Sequence, residues 1–111
     1  MIPYALLGLF VVVVFVLPRL GTISSAKARA LVAGGAKLVD VRSPAEFAGG
    51  HLEGALSAPL GELEQRAESL GPKDAPIVVY CASGMRSASA KRLLQSRGFN
   101  NVHNLGGMGR W

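Results

Sequence analysis

The segment IVVYCASGMRS, residues 77–87, decides the fold because it joins a buried strand to the start of a helix. Residues 77–80 form an unbroken apolar run of β-branched and aromatic side chains, which is typical of a central strand covered on both faces. The run ends at Cys81, and apolar positions at helical spacing follow between Ser87 and Arg97. Because open α/β sheets bind ligands at the carboxyl ends of their strands, we expect a functional site at Cys81.

Short strand-like and helix-like runs alternate on both sides of this segment. The residues predicted as further strands are 37–41, 56–58 and 102–105. The residues predicted as further helices are 60–70, a short run that starts at Ser43-Pro44, and a first helix that begins at Ser24 or Ser25 and ends at Gly34-Gly35. This alternation predicts an α/β domain with a largely parallel sheet.

Length and charge limit the functional classes to which the chain can belong. Its 111 residues leave room for one compact domain and a terminal appendage, which we divide as residues 21–111 and residues 1–20. The net charge of +5 is compatible with an anionic membrane surface or an anionic substrate. We expect no nucleic-acid partner, because the sequence has no zinc-ligand spacing, no series of stacking aromatic residues and no dense run of Lys and Arg.

Residues 2–17 contain no charged side chain and form the most apolar part of the chain. As a helix they would span about 24 Å, so with their flanking residues they predict a transmembrane anchor in residues 1–20. Basic residues follow this run from Arg19 onward, whereas no acidic residue precedes Asp40. The positive-inside bias then predicts a single-pass protein of the inner (cytoplasmic) membrane whose domain faces the cytoplasm. The alternative is export after cleavage of a signal near Ala26-Lys27-Ala28.

Cys81 is the sole cysteine of the chain, so an intramolecular disulfide is impossible and the thiol is a candidate nucleophile. The small residues 82–84 let the backbone curl around the sulfur, and amides at the start of the following helix favour an anion there. Those amides should lower the pKa of the thiol. Arg86 would supply positive charge for an anionic donor, and Ser87 would supply a helix cap and a hydroxyl donor.

Four motifs occur in order between Thr22 and Trp111. They are Asp40-Val41-Arg42 followed by Glu46-Phe47, Gly50-His51-Leu52-Glu53-Gly54-Ala55 followed by Pro59, the segment 81–87, which we call the Cys81 loop, and Asn104-Leu105-Gly106-Gly107 ahead of Trp111. Together they resemble the rhodanese family of sulfurtransferases. The resemblance implies a three-layer α/β domain whose parallel five-stranded sheet is flanked by helices.

The same resemblance implies a double-displacement reaction on Cys81, which matches the family's catalytic nucleophile. The thiolate would take sulfane sulfur from a small anionic donor such as thiosulfate, hold it as a persulfide and pass it to a thiol or cyanide, without a cofactor or metal. Because the chain has no second cysteine, the acceptor would be an external thiol, either a small molecule or a protein. The residues implied to bind the substrate are Ala82, Ser83, Gly84, Met85, Arg86, Ser87 and Arg42. Arg42 would either touch the donor or pair with a carboxylate.

Three other functions are compatible with some of these features. A persulfide carrier or docking module for a membrane partner would load Cys81 but discharge only to that partner, through a basic face near Arg86, Lys91 and Arg92. A cysteine-dependent phosphatase or arsenate reductase fits less well, because four residues separate Cys81 from Arg86 and the related phosphatase loop is one residue longer. A purely structural member of the fold would usually lack the cysteine.

Overall fold

The computed structural model describes residues 21–111. The anchor predicted in residues 1–20, with its membrane contact through residues 2–17, lies outside the described residues. Within residues 21–111, no helix is both long enough and apolar enough to cross a bilayer.

Strands and helices alternate along the described residues, as the sequence predicts. The strands are β1 (Lys37–Asp40), β2 (Leu56–Ser57), β3 (Ile77–Cys81) and β4 (Val102–Gly107). The α-helices are α1 (Ser25–Ala33), α2 (Pro44–Ala48), α3 (Leu63–Arg66) and α4 (Met85–Ser96). Turns of 3₁₀ helix lie on both sides of α3, at Leu60–Glu62 and Ala67–Leu70, and another, Met108–Arg110, follows β4.

The four strands form one parallel sheet in the order β2-β1-β3-β4. The expected five-stranded sheet is wrong for residues 21–111, because the position beside β4 holds only one parallel bridge, between Thr22 and Asn104. The Ile23 N–H donates to the Asn104 carbonyl oxygen at 2.9 Å. Ser24 then caps helix α1, so the chain leaves the sheet before a strand can form.

Helices cover both faces of the sheet and give the expected layered arrangement. On one face, Leu38 and Tyr80 share a buried cluster with Ala28 of α1. On the other face, Val79 and Cys81 share a buried cluster with residues of α3 and α4. All five residues of β3 are buried, which confirms the central strand predicted from its unbroken apolar run.

Helix α4 begins differently from α1 and α2. The side chains of Ser24 and Ser43 cap α1 and α2, as predicted, and Ser43 forms a capping box with Glu46. Helix α4 begins two residues earlier than predicted, after Gly84, whose φ is +108° and which offers no side-chain cap. The prediction that Ser87 caps this helix is therefore wrong, because Ser87 lies within the first turn. The amides of that turn, which have no partner inside the helix, point toward the end of β3.

Candidate active site

Cys81 is the last residue of β3, and its side chain is fully buried. Its strand neighbour is Gly107 of β4, after a shift in register between Val79 and Tyr80. The strand thus delivers the thiol to the carboxyl edge of the sheet, at the base of the loop that leads into α4. This placement agrees with the site expected from the sequence.

Main-chain donors converge on the sulfur of Cys81. The N–H of Gly84 donates to Sγ at 2.9 Å, and the N–H of Ser87 donates to Sγ at 3.4 Å. The Ser87 hydroxyl oxygen lies 3.4 Å from Sγ and accepts from the thiol, while it donates its own hydrogen to the Gly84 carbonyl at 3.1 Å. The pocket of amides predicted around Cys81 is therefore present in the described structure.

Two opposing effects set the pKa of Cys81. Burial disfavours the thiolate and would raise the pKa. Hydrogen bonds to the thiolate from the Ser87 hydroxyl, which then donates to sulfur instead of accepting from it, and from the N–H groups of Ser87, Gly84 and Ser83 more than offset this effect. The pKa of Cys81 consequently lies below the ordinary value for a cysteine. The thiol is poised to ionise inside a site from which bulk water is excluded.

Glycines allow the loop to approach the end of β4. A Cβ placed at Gly107 would lie 2.9 Å from the Ala82 carbonyl oxygen, closer than real Cβ atoms come to their neighbours. Gly84 has a positive φ where α4 begins, a conformation that glycine adopts without strain. A Cβ placed on Gly84 would lie 3.7 Å from backbone atoms of Gly106 and Gly107. The sequence contained the Gly106-Gly107 pair, but nothing in its local pattern indicated that these residues support the Cys81 loop.

Arg86 is bound to a carboxylate. Its Nη1 and Nη2 donate to Oε1 and Oε2 of Glu46 at 2.7 and 3.0 Å, a bidentate arrangement. The hydrogen bonds of Arg86, with those of Ser43, lower the pKa of Glu46 to about 2. The structure therefore places Arg86 beside Cys81, as predicted. Its positive charge is compensated by Glu46, so an anionic sulfur donor would have to compete with that carboxylate.

Arg42 belongs to a second, buried network. Its guanidinium donates to both carboxylate oxygens of Asp40 at 2.7 to 3.1 Å and to the Gly50 carbonyl at 2.7 Å. The Tyr80 hydroxyl donates to Asp40 at 2.7 Å and accepts from the Leu52 N–H. Of the two roles open to Arg42, the structure shows pairing with a carboxylate, and contact with the donor stays a prediction. No local sequence pattern indicates that Tyr80 takes part in this network.

This network has defined protonation states. Burial would raise the pKa of Asp40, but hydrogen bonds from the Arg42 side chain and N–H and from Tyr80 bring it below the ordinary value. Burial raises the pKa of Tyr80 to about 12, so its hydroxyl remains a donor at neutral pH. The network ties the segment that follows β1, at Arg42, Gly50 and Leu52, to the Tyr80 side chain of β3 and to Asp40.

Two surface pockets flank the Cys81 loop. One, of about 230 Å³, is lined by residues that include Arg42, Leu60 and Arg86. The other, of about 250 Å³, lies between Ala82, Ser83 and Gly84 on one side and the end of β4 on the other. Ala82, Ser83 and Met85 are exposed at the rim, with Met85 at 64%. Within residues 21–111 there is no group of three or more His, Cys, Asp or Glu side chains that could hold a metal ion.

Comparison with known proteins gives consistent matches. A profile described as the rhodanese-like domain matches residues 24–111. The uncharacterized protein YqhL of Bacillus subtilis is 42% identical over 77 residues, which cover 68% of this chain and 60% of YqhL. The thiosulfate:glutathione sulfurtransferase of Homo sapiens is 35% identical over 100 residues, which cover 78% of this chain and 87% of the human protein.

A solved structure shares the fold. The human single-domain sulfurtransferase TSTD1 superposes with a TM-score of 0.72 at 30% sequence identity. The superposition covers 82% of this chain and 91% of the human chain. The likeness therefore extends over nearly all of the described residues.

Proposed function

Because this chain belongs to the rhodanese-like domain family, we propose that it is a sulfurtransferase that carries sulfane sulfur as a persulfide on Cys81. One observation carries the proposal: the Gly84 and Ser87 amides both donate to the sulfur of a buried thiol whose pKa is lowered. Amides fixed in this way stabilise negative charge on sulfur without reorganising during the reaction. The relatives named as sulfurtransferases support the same chemistry.

The first half-reaction transfers sulfur to the enzyme. The Cys81 thiolate attacks the outer sulfur of thiosulfate, a new S–S bond forms, and the S–S bond of the donor breaks. Sulfite leaves with the electron pair of the broken bond, and the terminal sulfur on Cys81 carries a negative charge. The amides at the start of α4 then face a persulfide anion in place of a thiolate.

The second half-reaction returns Cys81 to its starting state. An acceptor thiolate attacks the terminal sulfur, a bond forms between the acceptor and that sulfur, and the Cys81 S–S bond breaks. Cys81 leaves as the thiolate that its environment favours, so the cradle also lowers the barrier to discharge. The human relative is named for glutathione as the acceptor, and we propose a small thiol of this chemical class for this chain.

The Ser87 hydroxyl is a movable donor in this scheme. With a neutral thiol it accepts from Sγ and donates to the Gly84 carbonyl. When the sulfur becomes anionic, rotation about the Cβ–Oγ bond lets the same hydroxyl donate to sulfur. Ser87 is fully buried, so this third donor acts where water does not compete.

Mass spectrometry of the intact, full-length chain tests the function. Incubation with thiosulfate should add about 32 Da, one sulfur atom, and cyanide should remove it. The Cys81→Ser variant is the matched control and should gain nothing. If the wild-type chain gains no mass with thiosulfate or with an organic persulfide, the proposal is wrong.

A persulfide carrier that serves one protein partner is the second candidate, and the exposed Met85 favours it. This apolar side chain stands at the rim of the loop and offers a contact for a docking protein. Multiple-turnover assays with small thiols separate the two functions. An enzyme releases sulfite continuously under these conditions, whereas a carrier releases one equivalent and then stops.

We also propose that residues 1–20 form a membrane anchor and that residues 21–111 form the domain it holds at the cytoplasmic face of the inner membrane. The uncharged run 2–17 and the basic residues after it support this arrangement. Extraction of membranes with alkaline carbonate should leave the protein in the pellet. Release into the supernatant, or a mature chain that begins after Ala28, would instead support export after signal cleavage.

A further inference from the structure

The charges of the arginines around the Cys81 loop are unevenly compensated. Arg42 pairs with Asp40, and Arg86 pairs with Glu46. Arg110 forms no ion pair with a carboxylate among residues 21–111. The uncompensated guanidinium charge beside the loop is therefore that of Arg110.

Arg110 lines the pocket between the Cys81 loop and the end of β4. Its Nε donates to the Leu105 carbonyl at 2.8 Å and one Nη donates to the Ile23 carbonyl at 3.1 Å, so two main-chain contacts orient the guanidinium. A guanidinium carries five N–H donors, so these two contacts use only part of its capacity. The residue is exposed and accessible to a ligand.

The rest of this pocket is built mainly from main chain. Gly84, Gly106 and Gly107 contribute to its lining, and their lack of side chains leaves the space open. Its volume of about 250 Å³ is slightly below the range of about 300 to 1,000 Å³ found for pockets that hold drug-sized ligands. The pocket therefore suits a molecule smaller than a drug. Gly84 lines the pocket, and its N–H also donates to Sγ at 2.9 Å. A ligand in the pocket therefore lies next to a residue that contacts the reacting atom.

We propose that this pocket binds the anionic group of a small acceptor thiol, with Arg110 as its counter-charge. The inference rests on the persulfide function proposed above. Both half-reactions displace along the line through Sγ and the transferred sulfur, so the acceptor sulfur attacks from the position that sulfite has left. In thiosulfate the anionic group is bonded directly to the transferred sulfur, whereas the anionic group of a mercaptocarboxylate lies several bonds from its attacking sulfur. The acceptor therefore extends its anionic group beyond the amides around Sγ, toward the pocket that adjoins Gly84.

Discharge of preloaded protein by a pair of matched thiols tests the proposal. The pair is 3-mercaptopropionate, which is anionic, and 3-mercaptopropionamide, which has the same length and is neutral. We expect the wild-type chain to be discharged about five to ten times faster by the anionic thiol than by the amide, as for one partly exposed charge-assisted contact. Arg110→Gln should reduce this ratio to about one and leave the rate with the amide within about twofold, because the neutral thiol makes no charge contact with Arg110. Arg110→Lys should keep part of the preference.

Control variants separate a local contact from general electrostatics and from folding. Lys27→Gln removes one positive charge from an exposed position on α1 and should leave the ratio unchanged. The proposal is overturned if Arg110→Gln keeps the wild-type ratio, or if Lys27→Gln lowers it equally. It is also overturned if Arg110→Gln slows loading and both discharge reactions alike, since that pattern indicates only a structural role.

A binding measurement distinguishes failure of this inference from failure of the proposed function. In an NMR titration of the unloaded chain, 3-(methylthio)propionate, which cannot accept sulfur, should shift the signals of Gly106, Gly107 and the Arg110 Nε–H. If these shifts occur but thiosulfate never loads Cys81, the anion site stands and the sulfurtransferase function fails. If Cys81 loads but the shifts are absent, the anion site is wrong and the function stands.

Discussion

The carboxylate of Glu46 accepts two hydrogen bonds from the guanidinium of Arg86, at 2.7 and 3.0 Å, across 40 residues of sequence. Glu46 also accepts from the N–H of Ser43 in the capping box of α2. The Glu46 side chain thus links α2 to the first turn of α4, which follows the Cys81 loop.

We expect Glu46→Gln to lower the melting temperature at neutral pH, because Arg86 and the start of α2 both lose a charged partner. The pKa of Glu46 is about 2 in the folded chain, below its ordinary value of 4.5. Its stabilising contribution is therefore complete above the unfolded pKa and is lost as pH falls from about 4.5 toward 2. Thermal unfolding measured from neutral to acidic pH should show the difference between wild type and Glu46→Gln shrinking across that window. Glu53→Gln, an exposed change nearby, is the control, and a difference that stays constant with pH would contradict this prediction.

We expect Gly107→Ala to impair sulfur loading without unfolding the domain. The new methyl group would lie 2.9 Å from the Ala82 carbonyl oxygen, so the Cys81 loop must shift. Misplacement of a reacting group by about 1 Å can cost about 100-fold in rate, and we expect a loss of up to that size in single-turnover loading by thiosulfate. Gly61→Ala is the matched control, since a methyl group at Gly61 meets nothing within 4 Å. A Gly107→Ala variant that loads at the wild-type rate would show that the loop tolerates the displacement.

We expect Arg42→Met to destabilise the fold strongly, because it leaves the buried carboxylate of Asp40 without its counter-charge. Arg42 is 8% exposed and Asp40 is fully buried, and removal of one partner of such a pair costs about 3 to 5 kcal/mol. Chemical denaturation measures the loss. The double variant Asp40→Asn with Arg42→Met should recover part of it, because no unpaired charge remains. If Arg42→Met unfolds like the wild type but fails to load sulfur, Arg42 acts on the donor and not on the fold.

The sequence predicted most of the fold, because its decisive signals are local. The apolar run of β3, the serine caps of α1 and α2, and the loop after Cys81 can all be recognised from neighbouring residues. The absence of a fifth strand from residues 21–111 could not be predicted in the same way, because it depends on how many residues before Ser24 pair with β4. The earlier start of α4 depends on a positive φ at Gly84, which the amino-acid sequence alone does not determine.

The contacts that define the site were harder to predict, because they join residues distant in sequence. The pairing of Arg86 with Glu46 spans 40 residues, as does the contact of Tyr80 with Asp40. Only the sheet order brings these side chains together. The close approach of the Ala82 carbonyl to Gly107 likewise depends on the register between β3 and β4.

The pH titration of Cys81 tests the central claim most directly, namely that amides and a hydroxyl hold negative charge on its sulfur. Ultraviolet absorbance of the thiolate reports the titration, with Cys81→Ser subtracted. We predict a pKa below that of an ordinary cysteine, and a higher pKa in Ser87→Ala, which loses the hydroxyl 3.4 Å from Sγ. Ser89→Ala, a serine of the same helix that does not contact the sulfur, should titrate like the wild type. A wild-type pKa at or above that of free cysteine, unchanged by Ser87→Ala, would contradict the account.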